Sequence, residues 1–105
     1  MKFPTISYRD LDRMLDEGAD ILVVDLRSRE EYKSERIRGS VNIPYEELSQ
    51  QSTQLPWGRP VVFYCDRGAK SLMACRTFSQ RGLVCANLAG GMAFYGGKYI
   101  DRNLL

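Results

Sequence analysis

The sequence predicts an α/β fold in which a mostly parallel five-stranded sheet carries helices on both of its faces. Two short, almost continuously apolar runs, Ile21–Asp25 and Val61–Tyr64, are typical of strands that are covered on both sides. Helical stretches separate the predicted strands, and strands joined through helices pair in parallel. The chain has 105 residues, of which 44% are hydrophobic, and this predicts one domain over residues 1–105.

The N-terminal part of the chain predicts a short strand, a capped helix and a longer strand. Pro4–Ile6 is a candidate for the first strand, and Ser7 follows it as a candidate N-cap with Asp10 three residues later. A serine and an acidic residue at this spacing satisfy free backbone amides at a helix N-terminus. Gly18 is a suitable residue to end this helix, and Ile21–Asp25 follows as the second strand.

The middle of the chain predicts two short helices on either side of a third strand. Ser28 and Glu31 repeat the capping pattern and indicate a short helix. Ile37–Ile43 is a plausible third strand, interrupted by Gly39. Tyr45–Leu48 then begins the second short helix.

The C-terminal part predicts two further strands with a long helix between them. Val61–Tyr64 is the fourth strand, and the amphipathic stretch Ser71–Phe78 is the helix that follows it. Gly82 is placed to end that helix. Val84–Leu88 is the last predicted strand, and Gly90-Gly91 turns the chain after it.

Charge and hydrophobicity argue against several classes of function. The net charge of +2 is too small to indicate a nucleic-acid or membrane-surface protein. No segment has the apolar length that is needed to span a bilayer, and the N-terminus lacks an apolar signal-peptide region. We therefore expect a cytoplasmic protein with no nucleic-acid or membrane partner.

The chain has three cysteines, Cys65, Cys75 and Cys85, and no histidine. No two cysteines form a Cys-x-x-Cys pair, so we expect neither a zinc site nor a thioredoxin-like redox pair. Without histidine there is no Ser-His-Asp triad and no Cys-His dyad. The sequence implies no metal or organic cofactor. Cys75 and Cys85 are predicted to pack in the core as small apolar residues.

Cys65 is the candidate nucleophile because of its position between two predicted elements. It directly follows the strand Val61–Tyr64, and a short loop of residues 66–70 leads from it into the long helix. Open α/β sheets bind ligands where strands end and helices begin. The amides of a glycine-containing loop and of a helix N-terminus attract anions and favour a thiolate over a thiol. This arrangement indicates attack by sulfur on an anionic substrate.

Four segments match, in order and spacing, the pattern of one known family. Val24–Arg27 followed by Glu30–Tyr32 is similar to the family's DxR…EEY segment, and Arg36–Pro44 is similar to its HIxGAxxIP segment. Tyr64–Ser71 is similar to the active-site YCxxGxRS segment, and Leu88–Met92 to the closing LxGG segment. In these four segments the chain resembles the single-domain rhodaneses, a family of sulfurtransferases with a rhodanese-like α/β fold.

The resemblance implies that Cys65 carries sulfur during catalysis. Its thiolate would attack the outer sulfur of an anionic donor, thiosulfate or a persulfide, and become a Cys65 persulfide. A thiophilic acceptor, which is cyanide or a thiol and includes the thiol of a sulfur-relay protein, would then remove the sulfur. The resemblance implies no cofactor for this chemistry.

The loop after Cys65 is expected to bind the substrate. Arg67 and Lys70 bring positive charge, although Lys70 stands where the family usually has arginine and lacks the bidentate fork of a guanidinium. Ser71 is expected to cap the helix or donate to the bound anion, whereas Asp66 opposes an anion unless its carboxylate points outward. The full set of predicted substrate-binding residues is Asp66, Arg67, Gly68, Ala69, Lys70 and Ser71.

Asp25 and Arg27 are expected to support the site without acting on the substrate. Asp25 ends a parallel strand and is placed to accept hydrogen bonds from loop amides. Arg27 is predicted to pair with Glu30 or Glu31.

Two other classes of function have to be weighed. A non-enzymatic binding, regulatory or persulfide-relay module of the same fold is less favoured, because this chain keeps both the cysteine and a basic loop. A phosphatase or arsenate reductase of related architecture is also less favoured. Tyrosine phosphatases carry an arginine six residues after the cysteine, where this chain has Ser71. The loop from Cys65 to Lys70 is also shorter than that of phosphatases that share the rhodanese fold.

Overall fold

The computed structural model describes residues 2–103 and confirms the α/β class. Its α-helices are α1 (Tyr8–Asp16), α2 (Arg29–Ser34) and α3 (Ala69–Gln80). Its strands are β1 (Thr5–Ile6), β2 (Leu22–Asp25), β3 (Glu35–Ile37), β4 (Val41–Asn42), β5 (Val61–Tyr64), β6 (Cys85–Leu88) and β7 (Ile100–Arg102). Three 3₁₀ turns add Tyr45–Glu47, Ser52–Gln54 and Met92–Phe94.

Five of the strands form one parallel sheet in the order β1-β6-β5-β2-β4. In the centre of the sheet, Val61 of β5 is in register with Leu22 of β2 on one side and with Cys85 of β6 on the other. The strand β5 is buried along its whole length. Its successive side chains enter different clusters, since Val61 and Phe63 pack on one face and Val62 and Tyr64 on the other.

Helices cover both faces of the sheet, as the sequence predicts. Helix α3 places Ala74, Cys75 and Phe78 in the cluster that contains Phe63. Helix α1 places Leu11 in the opposite cluster. Burial on both faces explains why the central strands are almost purely apolar in sequence.

The prediction of a single strand over Ile37–Ile43 is wrong. Strand β3 ends at Ile37, and the chain turns through Gly39, which has a φ of +82°, before β4 begins at Val41. Strand β4 pairs with β2 in the parallel sheet, while β3 pairs antiparallel with β7 in a separate two-stranded sheet. The sequence analysis did not predict β7, so Val84–Leu88 is not the last strand.

The predicted helix ends are mostly confirmed. Ser7 and Ser28 both accept from the backbone of the third helical residue, and each forms a reciprocal capping box. Gly82 follows α3 with a φ of +97°. Helix α3 begins at Ala69, two residues before the predicted Ser71, because Gly68 is its N-cap. Within residues 2–103, no helix is both long and apolar enough to cross a lipid bilayer.

Candidate active site

The sulfur of Cys65 lies at the N-terminus of α3, directly after β5. The backbone amides of Gly68 and Ser71 point at it, with nitrogen–sulfur distances of 3.1 and 3.4 Å. The hydroxyl oxygen of Ser71 lies 3.5 Å from the same sulfur. Amide donors and the positive end of the helix dipole favour negative charge at this position. The Cys65 sulfur therefore lies where backbone donors can stabilise negative charge.

Gly68 gives the loop its shape. As the N-cap of α3 it has a φ of +103°, a conformation that side-chain-bearing residues rarely adopt. Because of this conformation, the chain enters α3 with the Gly68 amide directed at the sulfur of Cys65.

A second glycine, Gly91, begins a turn that hydrogen-bonds to the backbone of the loop after Cys65. The turn that it begins donates from Met92 N to the Cys65 carbonyl and from Ala93 N to the Asp66 carbonyl, both at 2.9 Å. A Cβ atom on Gly91 would lie 2.4 Å from the Cys65 carbonyl oxygen, so only glycine permits this approach. In a trans peptide the N–H points opposite to the C=O. The carbonyl groups are thus bonded on one side of the loop, and the following amides point to the other.

Ser71 is fully buried and connects the loop to strand β6. Its hydroxyl lies 2.5 Å from Asn87 Oδ1 and 3.2 Å from the Gly68 carbonyl oxygen. Sequence analysis missed Asn87, although an asparagine in the apolar run of β6 is a signal, because a buried amide requires a partner. Asn87 fixes the side chain that lies against the Cys65 sulfur.

A cavity of about 440 Å³ opens over the Cys65 sulfur. Of the predicted binding residues, it brings together Asp66, Arg67, Ala69 and Lys70, while Gly68 and Ser71 contact the sulfur from behind. The complete lining consists of Arg27, Ser28, Glu31, Glu46, Cys65, Asp66, Arg67, Ala69 and Lys70. Sequence analysis did not place Ser28, Glu31 or Glu46 at the site.

Asp25 and Arg27 form a buried ion pair under the cavity. Arg27 Nη2 lies 2.7 Å from Asp25 Oδ2, and the Arg27 backbone amide donates to Asp25 Oδ1 at 2.9 Å. Burial would lower the pKa of Arg27, but the hydrogen bond and charge of Asp25 hold it above its ordinary value. The prediction that Asp25 accepts a loop amide is confirmed. The predicted pairing of Arg27 with Glu30 or Glu31 is wrong, because Asp25 is closer in space.

The two exposed cations of the loop are each paired with a carboxylate. Lys70 Nζ lies 2.9 Å from Glu46 Oε1, and Arg67 Nε lies 3.7 Å from Asp66 Oδ2. The hydrogen bond from Lys70 lowers the pKa of Glu46, and the same bond raises the pKa of Lys70. Both Asp66 and Arg67 extend into solvent, so the carboxylate beside the nucleophile does point outward.

Cys75 and Cys85 are buried in the core, as predicted. Both are buried in the cluster between α3 and the sheet, and Cys85 begins β6 at the strand end opposite the site. The Cys85 sulfur lies 3.8 Å from the Cys75 carbonyl oxygen. Neither sulfur lines the cavity.

The family model of the rhodanese-like domain matches residues 7–96 of this chain. The chain belongs to the rhodanese-like family. The match includes the Cys65 loop and the Gly91 turn.

Known proteins similar to this rhodanese-like domain agree with that assignment. A sulfurtransferase of Allochromatium vinosum is 32% identical over 83% of this chain and 82% of its own. The putative sulfur carrier protein YrkF of Bacillus subtilis is 30% identical over 90% of this chain, which spans only 52% of that protein. In two further curated relatives the chain spans 15% and 61% of the length. These relatives support a role in sulfur transfer.

A solved structure shows the same fold. The rhodanese-related protein of Thermoplasma volcanium superimposes with a TM-score of 0.87 at 25% identity, over 96% of this chain and 100% of that one. The predicted rhodanese-like architecture is confirmed.

Proposed function

We propose that this rhodanese-like domain is a sulfurtransferase that carries sulfane sulfur on Cys65. The observation that supports it most is the position of the sulfur, which faces the cavity and has the Gly68 and Ser71 amides at 3.1 and 3.4 Å. These donors stabilise negative charge on the attacking sulfur and, after transfer, on the persulfide that replaces it.

The first half-reaction breaks a sulfur–sulfur bond in the donor. The Cys65 thiolate attacks the outer sulfur of thiosulfate or of a persulfide, and a Cys65 persulfide forms as sulfite or a thiolate leaves. Both leaving groups depart with the electron pair of the broken bond. A general acid is therefore not required, which suits a chain without histidine.

The second half-reaction returns the cysteine to its starting form. Cyanide or a thiolate attacks the outer sulfur of the Cys65 persulfide, takes that sulfur as thiocyanate or a new persulfide, and leaves the Cys65 thiolate. The acceptor includes the thiol of a sulfur-relay protein. A cytoplasmic location remains a prediction from the sequence.

Each residue of the loop has a distinct part in this proposal. Gly68 and Ser71 hold the sulfur, and the first-turn amides of Ala69 and Lys70 are donors that helix geometry leaves free for a ligand. Asp66 and Arg67 form the exposed rim. Asp25 and Arg27 are positioning residues, because their buried pair supports the floor of the cavity.

Steady-state kinetics test the proposal. With thiosulfate or a persulfide as donor and cyanide as acceptor, we expect thiocyanate formation with parallel double-reciprocal lines, because the two substrates react in separate half-reactions. Cys65→Ser is expected to abolish turnover. Turnover that survives in Cys65→Ser would overturn the proposal.

A further inference from the structure

The charges that line the cavity over Cys65 cancel. The cationic lining residues are Arg27, Arg67 and Lys70, and the anionic ones are Glu31, Glu46 and Asp66. An enzyme that binds a dianion is expected to present uncompensated positive charge, because complementary charge raises both encounter rate and specificity. The cavity over Cys65 presents no such excess of positive charge.

The cationic side chains of the cavity also form ion pairs with specific carboxylates. Arg27 is paired with the fully buried Asp25. Lys70 is held by the turn Tyr45–Glu47, where Glu46 lies 2.9 Å from its ammonium and the Tyr45 ring centroid lies at 5.9 Å. A dianionic donor that approaches Cys65 therefore has to compete with Glu46 for Lys70.

Glu31 contributes a carboxylate that has a different kind of partner. Its Oε1 atom accepts from the Ser28 hydroxyl at 2.9 Å and from the Ser28 amide at 3.2 Å. Among the salt bridges of residues 2–103, none neutralises Glu31. Arg27 is already paired with Asp25, a buried carboxylate outside the lining. Glu31 is therefore the excess carboxylate, and it acts on Arg27 and Lys70 only through longer-range charge. This excess negative charge suits an ammonium group on the incoming molecule.

We infer that the preferred donor is the persulfide of an aminothiol, with an ammonium group close to its sulfane sulfur. Glu31 attracts that ammonium group, and Glu46 selects against thiosulfate by holding the charge of Lys70. This inference rests on the proposed function and specifies its substrate. With R–S–SH as donor, the Cys65 thiolate takes the outer SH, a Cys65 persulfide forms, and R–S⁻ leaves with the bonding electrons.

The test compares a dianionic donor with a donor that carries an ammonium group, on proteins with substitutions at two neighbouring residues. The probes are thiosulfate and cysteamine persulfide, and the readout is the second-order rate constant for sulfur loading of Cys65, followed by intact-protein mass. Glu46→Gln frees Lys70 and removes a carboxylate from the cavity. Glu47→Gln is the matched control, because it removes the same charge one residue later, from a side chain that pairs with Arg29 outside the cavity.

Glu46→Gln is expected to change the two rates in opposite directions. Loading from thiosulfate should rise about two- to fivefold and loading from cysteamine persulfide should fall by a similar factor, as suits one exposed charge. The measurements are made at low ionic strength, because salt screens exposed charges. Glu31→Gln should shift the ratio in the same direction and keep helix α2, since glutamine also completes a capping box.

Opposite shifts in Glu46→Gln, with no shift in Glu47→Gln, are the expected result. A Glu46→Gln protein in which neither rate changes, or in which both change in the same direction, would overturn the inference while sulfur loading itself still supports the sulfurtransferase. Failure of both donors to load wild-type Cys65 would instead refute the proposed function.

Discussion

The three cysteines of the chain are all buried, but their surroundings differ. The sulfur of Cys65 meets two backbone amides and a cavity. The hydrogen bond with Cys85, and then burial, raise the pKa of Cys75 far above that of a free thiol. At neutral pH we expect iodoacetamide to alkylate Cys65 first, and Cys75 only after unfolding, as read by peptide mass mapping. Labelling of Cys75 at the rate of Cys65 in the native protein would contradict this account.

Adding a methyl group at Gly91 should distort the Cys65 loop. In Gly91→Ala, the new Cβ meets the carbonyl oxygens of Cys65 and Asp66, and the φ of +59° adds about 1–3 kcal/mol of strain. We expect lower stability in urea and loss of sulfur loading. Gly58→Ala is the control, because nothing lies within 4 Å of its Cβ position. Equal behaviour of the two variants would count against the proposed role of the turn.

The Asp25–Arg27 ion pair is predicted to contribute mainly to the stability of the fold, and only indirectly to catalysis. Arg27→Met leaves the fully buried Asp25 without its cation, which should cost about 3–5 kcal/mol in the free energy of unfolding. The double variant with Asp25→Asn should recover part of the loss, since it removes the unpaired charge. Urea denaturation of the three proteins measures both effects. A single variant as stable as wild type would show that the pair contributes little.

At the scale of elements, helix α1 should respond to acid through its capping box. The bond from the Ser7 backbone amide is the main cause that lowers the pKa of Asp10 in the folded chain. Ionised Asp10 therefore adds its full contribution to folding stability above the unfolded-state pKa of about 4. This contribution is lost as the pH falls through the lower pKa that Asp10 has in the folded chain. Asp10→Asn should have a lower urea midpoint than wild type at neutral pH, and the gap should close at acidic pH. A gap that is independent of pH would rule out this linkage.

The sequence analysis succeeded for elements whose signal is local. The strands β2 and β5, the two capping boxes and the helix after Cys65 are each indicated by neighbouring residues. Strand β7 is not, because its partner β3 lies more than sixty residues away in the chain, as in the Arg36–Asp101 register. Salt bridges such as Arg38–Asp101, at 2.9 Å, stabilise this pairing. The sequence of β7 has no periodic pattern that predicts a strand.

The contrast between local and distant partners also explains which residues of the candidate site could be predicted. Cys65 and its loop could be predicted, because a strand, a glycine and a helix start follow each other in sequence. Glu46 could not be placed there from sequence, since it reaches the loop through the 3₁₀ turn. The asparagine in the apolar run of β6 signals a buried partner for Asn87, but not that this partner is Ser71. The charge of the cavity depends on such distant partners. Of the two donors that the sequence analysis expects, thiosulfate and a persulfide, this charge is the basis for our inference of an aminothiol persulfide.

At the scale of the whole molecule, the parallel sheet gathers the site at one edge. The carboxyl ends of β2 and β5 bring Arg27 and Cys65 to the same cavity, as expected for an open α/β sheet. The 3₁₀ turn with Glu46 and the turn after Gly91 then enclose the loop from two sides. Cys75 and Cys85 remain in the core between α3 and the sheet.

Intact-protein mass spectrometry tests the central claim most directly, namely that Cys65 carries the transferred sulfur. Wild type and Cys65→Ser are each incubated with thiosulfate and, separately, with cysteamine persulfide, and then treated with cyanide. We predict the gain of one sulfur atom in wild type only, and its loss on treatment with cyanide. A wild-type protein that gains no sulfur from either donor, or a Cys65→Ser protein that gains it equally, would contradict the account.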